Sequence, residues 1–457
     1  MPISPAREIA FDVLRLVASD RAHASDVLHS RLGARIGRPD AALATELTLG
    51  VLRWQRLLDF LLDRHLDRPA GRLDSEVLIA LRLGLYQLRF LERVPAHAAV
   101  SESVELAKRA RKRSATTLVN AVLRRAASEA KISGSALEKL FPASASFAER
   151  VGILHSHPTW LVERWTERFG THRALALLEA NNRPARLCCC VLDPGSVETV
   201  GESLREAGFQ TSPGRWLRSA LILSGANPAA AEAFRLGRVS LQDEASQMIA
   251  HLVDARPGQS VLDVCSAPGG KTLLLACAVG PNGNVVAADL HEPRLRAVRE
   301  QIARTGTQNV SLVAFDATRP LPLGSSFSRI LVDAPCSGTG TLSRNPEIRW
   351  RLEPQDLSDA HARQTAMLRS ALALLAPGGS LVYATCALEP EENEEVVHAA
   401  IAADDKLRVV ATPEALAPHL RSGVSVESLF ERDGFFRTFP PESETDGFFA
   451  AVLQRRL

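Results

Sequence analysis

The sequence predicts a multidomain chain: an all-α N-terminal bundle over residues 1–130, a small α+β module over residues 148–237, and a C-terminal α/β domain over residues 238–457. Three observations carry this reading. The chain has 457 residues, more than one ordinary core organises, so two or three domains are expected. Apolar residues recur at helical spacing through the first segment. From Gln242 onward the pattern becomes strand, loop, helix, repeated several times, which predicts a doubly wound, largely parallel sheet with helices on both faces.

In the first segment Leu47, Val51, Trp54, Leu58 and Leu61, and then Leu78, Leu81, Leu85 and Leu88, lie three and four residues apart. Such spacing marks amphipathic helices with one buried stripe. The stretch from Glu129 to Phe147, rich in Ser and Ala and containing Pro142, loses the period and reads as a linker. A helical run to about Asn181 precedes the apolar Leu187-Cys188-Cys189-Cys190-Val191, short enough to be a strand, and the small module ends near Gly237. In the last segment Val261–Val264, Val285–Ala288, Val310–Phe315, Ile330–Val332 and Leu381–Ala384 are short β-prone runs. Ligands in such a sheet sit at the carboxyl ends of its strands, so the loops that follow these runs are where chemistry is expected.

Composition narrows the function classes. Hydrophobic residues at 46% and charged residues at 23% exclude a disordered or fibrous chain. Glu8 and Asp12 interrupt the N-terminus before an apolar signal region forms, and no apolar run approaches the ~18 residues of a membrane span, so a cytoplasmic protein with no membrane partner is expected. Seven cysteines without a Cys-x-x-Cys pair fit neither a disulfide framework nor a zinc site; reduced thiols and no metal are expected. Residues 1–130 carry 21 Lys/Arg against 15 Asp/Glu, an excess that points to a polyanionic partner.

Directly after the first β-prone run comes Cys265-Ser266-Ala267-Pro268-Gly269-Gly270-Lys271-Thr272, leading into the apolar helix Leu273–Val279. Two glycines let backbone approach a ligand closely, and the helix start offers free N–H donors for a carboxylate or phosphate. Ser266 stands where a Walker loop needs its first glycine, which disfavours an ATPase. Asp263, Asp289 and Asp316 close three successive runs. At the second strand end Asp289 can accept hydrogen bonds from two ribose hydroxyls, and Asp316 can reach an adenine amine. Each aspartate alone could instead cap a helix.

Two thiols complete the pattern. Asp333-Ala334-Pro335-Cys336-Ser337-Gly338-Thr339-Gly340 follows the fourth run and Tyr383-Ala384-Thr385-Cys386 ends the fifth, which puts both sulfurs at one sheet edge beside the expected cofactor. A free cysteine is ordinarily a small buried hydrophobe. A pair at neighbouring strand ends, one of them flanked by Asp333 and Pro335, suits covalent catalysis assisted by a carboxyl group. Lys271 could lower a thiol pKa or orient a base, the alternative being a solvated or phosphate-facing lysine. Cys188, Cys189, Cys190 and Cys277 are assigned to packing and Cys265 to the loop wall.

The blocks Cys265–Lys271, Asp333–Trp350 and Tyr383–Glu394 resemble the signatures of the bacterial Sun/Fmu family of ribosomal RNA cytosine-5 methyltransferases. Residues 44–54, 93–108 and 118–125 are similar to that family's NusB-like helical domain, so the resemblance spans nearly the whole chain. It implies a Rossmann-like class I methyltransferase domain that binds S-adenosyl-L-methionine through Cys265, Ser266, Ala267, Pro268, Gly269, Gly270, Lys271, Asp289, Asp316 and Asp333. It further implies that Cys386 attacks carbon 6 of cytosine, that Cys336 helps release the product, and that the order of the two cysteines selects RNA over DNA. Carbon 5 is too poor a nucleophile to accept a methyl group until a thiolate has added at carbon 6, and Asp333 is the carboxyl group suited to N3. The implied partner is unassembled or partly assembled 16S rRNA, with the family-type target cytosine 967, acted on by a monomer. The same chemistry on transfer RNA, and a non-catalytic RNA-binding assembly factor, are the alternatives.

Two departures from the family pattern stand out. Cys189-Cys190-Val191-Leu192 replaces the usual Leu-Arg-Val-Asn, removing an arginine expected to touch RNA. Pro440-Pro441-Glu442 precedes the block Asp446–Phe449 in place of a histidine-containing stretch. The basic run Lys108, Arg109, Arg111, Lys112, Arg113, continued at Arg124 and Arg125, would grip phosphates if it faced the substrate, and otherwise is a solvated helix face. A base inside a helix is out of reach, so the target must be unpaired or turned out of the stack.

Overall fold

The computed structural model describes residues 3–20, 23–32, 36–129, 135–225, 231–324 and 326–456. Packing divides the chain into two compact units, Met1–Pro184 with Leu342–Arg351, and Ala185–Thr341 with Leu352–Leu457. Residues 130–134 of the expected linker lie outside the described residues; the remainder holds a short helix at Ser135–Glu138.

Unit 1 is helical. Its elements are α1 (Pro5–Asp20), α2 (Ala24–Arg31), α3 (Arg38–Arg53), α4 (Gln55–Asp63), α5 (Ser75–Phe90), α6 (Ala96–Arg109), α7 (Thr116–Ser128), α8 (Ser135–Glu138), α9 (Phe147–Leu154) and α10 (Thr159–Asn181), with a kink at Gly170 in the last. The stripes read from sequence are its core: Leu47, Val51, Leu58, Leu61, Leu81 and Leu85 are buried together with Phe11 and Leu14. Helices α9 and α10, grouped by sequence with the middle module, pack in this unit. So does the ten-residue insertion 342–351, whose short helix α16 (Ile348–Arg351) drives Arg349 into the interior. Its guanidinium donates to the carbonyls of Ser156 (3.0 Å) and Asn181 (3.1 Å) and to Asn182 Oδ1 (2.9 Å). Trp350 Nε1 donates to Leu52 O at 2.6 Å, and Glu347 accepts from Ala24 N at 3.0 Å.

Unit 2 holds two sheets. The smaller has strands β1 (Leu187–Val191), β2 (Gln210–Pro213), β3 (Ala220–Ser224) and β4 (Val239–Leu241) in the antiparallel order β2-β3-β1-β4. Helices α11 (Val197–Glu206) and α12 (Glu232–Arg235) belong to it. Arg304 lies 4.2 Å over the Phe234 ring and donates to the carbonyls of Phe234 and Val239, which ties this module to the larger one.

The larger sheet contains β5 (Ser260–Asp263), β6 (Asn284–Asp289), β7 (Val310–Ala314), β8 (Phe327–Asp333), β9 (Leu375–Thr385), β10 (Leu407–Val410), β11 (Phe436–Arg437) and β12 (Phe449–Arg455), and the helices α13 (Glu244–Leu252), α14 (Gly270–Val279), α15 (Glu292–Thr305), α17 (Pro354–Leu372) and α18 (Glu394–Ala403). Strand order is β10-β12-β9-β8-β5-β6-β7, with β11 paired to β12. All five predicted runs are strands and pair in parallel; β10 and β12 join antiparallel at the far edge and were not anticipated. The order reverses between β5 and β8, the switch point where a doubly wound sheet opens a crevice at its carboxyl edge. Because β12 runs opposite to β9, with Phe449 opposite Thr385, it begins where β9 ends and delivers residues 446–448 to that same edge.

Candidate active site

The loop after β5 is held from both sides: Val264 N donates to Leu331 O (2.9 Å) and Ser266 N to Ala288 O (2.7 Å). Gly269 has φ +109°, a left-handed conformation that a side chain would strain, and it opens α14 with its free N–H groups. Asp263, buried at the end of β5, accepts from Thr272 Oγ1 at 2.7 Å, and burial pushes its carboxyl group up to about 7. Burial also raises the Cys265 thiol, next to the carboxylates of Asp263, Asp333 and Asp289.

Asp289 is buried at the end of β6. Its Oδ1 accepts from His291 N (3.0 Å), while Oδ2 faces Arg294 Nη1 at 3.2 Å and accepts no hydrogen bond; Arg294 also reaches Ala267 O at 3.2 Å. Asp316 is half-exposed beyond β7. It closes a turn by accepting from Thr318 N and Oγ1, which lowers its pKa. Neither aspartate caps a helix: both close a turn with the residue two positions on, and His291 stands at the start of α15.

Asp263 Oδ1, Ser266 Oγ and Asp289 Oδ2 are buried and accept or donate no hydrogen bond among the described residues. Buried polar atoms are rarely left so. Three of them around a glycine cradle fit a small ligand bearing hydroxyl and ammonium groups, as S-adenosylmethionine does.

At β8 and β9 the two sulfurs meet. Cys336 Sγ and Cys386 Sγ are 3.3 Å apart, on loops after adjoining parallel strands. The Cys336 loop is fastened by Ser337 N to Glu392 Oε2 (2.7 Å), and Gln364 Nε2 bridges Glu392 Oε2 and Pro335 O at 3.0 Å each. Gly340 N donates to Cys386 O (2.9 Å), Leu388 N to Thr339 Oγ1 (2.8 Å) and Gly447 N to Gly340 O (2.8 Å). The Cys336 thiol is raised well above its ordinary range by the hydrogen bond it shares with Cys386, by burial and by the charge of Glu392. Burial likewise raises Glu392, whose Oε1 has no hydrogen-bond partner.

The Lys271 side chain is largely buried. Its Nζ donates to Asp333 Oδ2 at 2.6 Å and lies 5.1 Å over the Phe448 ring. The structure therefore brings Lys271 to Asp333 and Cys336 to Cys386, and leaves Asp316 engaged with its own turn. Sequence reasoning missed Thr272, Glu392, Gly447 and Phe448. Thr272 and Glu392 stand inside or beside quoted blocks and needed only their polar partners; Gly447 and Phe448 required the pairing of β12 with β9.

Within the basic run Lys108 is paired to Glu105, Arg109 to Glu8 and Asp12, and Lys112 to Asp74, because acidic side chains of α1, α6 and the α5 start neutralise them; Arg111, Arg113, Arg124 and Arg125 are exposed. Cys277 is exposed on α14, not packed. Cys190 is buried against Ala250 and Leu274. Among the described residues no group of three or more His, Cys, Asp or Glu could hold a metal, and no helix is long and apolar enough to cross a membrane.

Residues 250–454 match the family model described as 16S rRNA methyltransferase RsmB/F, residues 4–128 the NusB family, and residues 157–230 a ferredoxin-like domain of RsmF/B-like methyltransferases. The chain is 30% identical to the probable ribosomal RNA small subunit methyltransferase B of Bacillus subtilis strain 168, over 100% of both chains. It is 36% identical to the ribosomal RNA small subunit methyltransferase B of Pseudomonas putida, over 94% of this chain and 97% of that one. Among solved structures, that of PH0851 covers 100% of both chains at TM-score 0.83 and 24% identity, a likeness of fold. A methyltransferase homolog from Pyrococcus horikoshii covers 68% of this chain and 99% of its own at TM-score 0.57 and 28% identity.

Proposed function

The chain belongs to the 16S rRNA methyltransferase RsmB/F family, whose members depend on S-adenosylmethionine, and from that premise we propose that it forms 5-methylcytosine in 16S rRNA, at cytosine 967, through a covalent adduct on Cys386. The observation that supports this reading most is the contact of Cys336 with Cys386 beside the Lys271–Asp333 pair. Residues 265–271, Asp289 and Asp316 would hold the cofactor, with Asp263 and Asp333 at the same edge. Bound S-adenosylmethionine supplies the electrophilic methyl group.

The chain's own residues then divide the work. Cys336 keeps its proton and donates a hydrogen bond to the Cys386 sulfur, favouring the thiolate that adds to carbon 6 of the base. Lys271 holds Asp333, which bonds to N3 and stabilises the charge that addition pushes into the ring. After methyl transfer the proton on carbon 5 passes to water. Its bonding electrons restore the carbon 5–carbon 6 double bond, and the carbon–sulfur bond breaks with its electrons on Cys386. Cys336, hydrogen-bonded to that sulfur, eases its departure.

Cys386→Ala should abolish transfer of labelled methyl groups to RNA while cofactor binding persists; full activity would remove Cys386 as nucleophile. Cys336→Ala should accumulate a denaturation-resistant protein–RNA band, and normal turnover without that band would end its release role.

A further inference from the structure

We propose that an arginine-lined cleft of unit 2, between the small sheet and the segment that leads into the site, binds the phosphate backbone of the RNA next to the target base. The inference rests on the RNA-methylation reading above and adds where the strand is held. The cleft is open, about 900 Å³ in volume, and Arg186, Arg215, Arg421 and Glu444 line it. Three guanidinium groups therefore share a hollow with one carboxylate.

The platform under these arginines is rigid. Glu244, buried at the start of α13, accepts from the backbone N–H groups of Arg215 (2.8 Å), Trp216 (2.8 Å) and Leu217 (2.9 Å). No residue larger than glycine fits at position 214, because a Cβ there would stand 2.4 Å from Glu244 Oε1. The Trp216 indole donates to Ser443 O at 3.0 Å, and the Arg215 guanidinium lies 5.3 Å over its ring. Arg421 donates from its backbone N–H to Trp216 O (2.9 Å) and from its side chain to Gly214 O. A preordered fork loses little freedom on meeting a phosphate, which is what bidentate recognition by arginine requires.

Glu444 is the counter-ion that a phosphate would displace. Arg186 Nη2 stands 2.5 Å and Arg215 Nη1 2.9 Å from its carboxylate, and all three side chains are exposed. Exposed ion pairs of this kind contribute little to stability, so exchanging the carboxylate for a phosphate is cheap. The cleft also adjoins the chemistry. From Glu444 the chain runs through Asp446, whose N–H donates to Asp243 Oδ1, to Gly447 on Gly340 and to Phe448 under Lys271. Four residues span at most ~14 Å, the reach of a nucleotide or two beside an extruded base. Cys190 is buried and presents no cation.

The test is binding of a labelled single-stranded RNA by fluorescence anisotropy between about 50 and 200 mM salt. Arg186→Ala/Arg215→Ala should bind about tenfold more weakly at low salt, and the slope of log affinity against log salt should fall by about 0.7 to 1.4, one or two single-strand phosphate contacts. Arg296→Ala/Arg408→Ala, an equal loss of charge elsewhere on unit 2, should change neither. Arg186→Lys/Arg215→Lys should keep the slope and lose about threefold in affinity. Glu444→Gln should tighten binding severalfold. If the Ala pair binds like the control pair, or Glu444→Gln weakens binding, the cleft is not the phosphate site. Methyl transfer by the unaltered chain decides the parent reading separately: cleft-dependent RNA binding without methylation would end that reading and leave the cleft standing.

Discussion

Gly340→Ala probes the contact on which the two-thiol arrangement depends. Gly340 lies outside the left-handed region, so alanine suits its backbone and the perturbation is steric alone. An added Cβ would stand 2.1 Å from Gly447 O, 2.8 Å from Gly447 C and 2.9 Å from Cys386 O, where real Cβ contacts essentially never fall below 3.0 Å. Relief needs a shift of about 0.9 Å of backbone against backbone. Gly447 is itself confined, with Leu388, Gly340 and Pro440 within 3.2 Å of its own missing Cβ. The Cys336 loop must therefore move away from the Cys386 loop, stretching both the Gly340 N to Cys386 O bond and the contact between the sulfurs. Overpacking of this kind costs ~1–3 kcal/mol, and a misplacement near 1 Å at reacting groups costs on the order of 100-fold in rate. Single-turnover transfer of labelled methyl groups reads the rate, urea unfolding the stability, and calorimetry the cofactor affinity, which should be unchanged because the 265–271 loop is not touched. Wild-type rate with wild-type stability would refute the claim that these loops position the thiols.

Two further outcomes follow from buried groups. Arg349→Met leaves the carbonyls of Ser156 and Asn181 and Oδ1 of Asn182 without their donor, and should destabilise unit 1 by ~3 kcal/mol or more in urea unfolding; Arg349→Lys, lacking the fork, should recover only part of it, and an unchanged midpoint for Met would refute the clasp. Asp263 has a folded-state pKa raised to about 7, so its contribution is fully present below pH 4 and is lost as pH rises to 7, where the unfolded chain ionises first. Asp263→Asn should therefore match wild type at pH 4 and exceed it at pH 8 by up to ~4 kcal/mol; equal pH profiles for the two proteins would contradict the burial argument.

The three-part fold class, the five parallel strands and the loops bearing Cys265–Lys271, Asp333, Cys336 and Cys386 were legible in the sequence. Each is a local pattern: a strand period, a glycine turn or a residue at a strand end, all within a few positions of one another. Even so, the sequence left the alternatives for Lys271 open, and its partner in the fold is Asp333, 62 residues away. The basic run looked uniform in sequence, yet Arg109 and Lys112 are neutralised by Asp12 and Asp74, side chains that local spacing does not bring near.

By itself the sequence determined which chemistry-bearing residues stand at the carboxyl edge of a parallel sheet, because in that architecture every strand end faces the same way. Only the tertiary structure decided what surrounds them. The arrival of Gly447 and Phe448 through antiparallel β12, the hold of Glu392 on the Cys336 loop, the packing of residues 342–351 into unit 1 and the arginine cleft built on Glu244 all join residues distant in the chain. Strand pairing at an edge and the satisfaction of buried polar groups depend on the whole packed arrangement, so no window of sequence contains them.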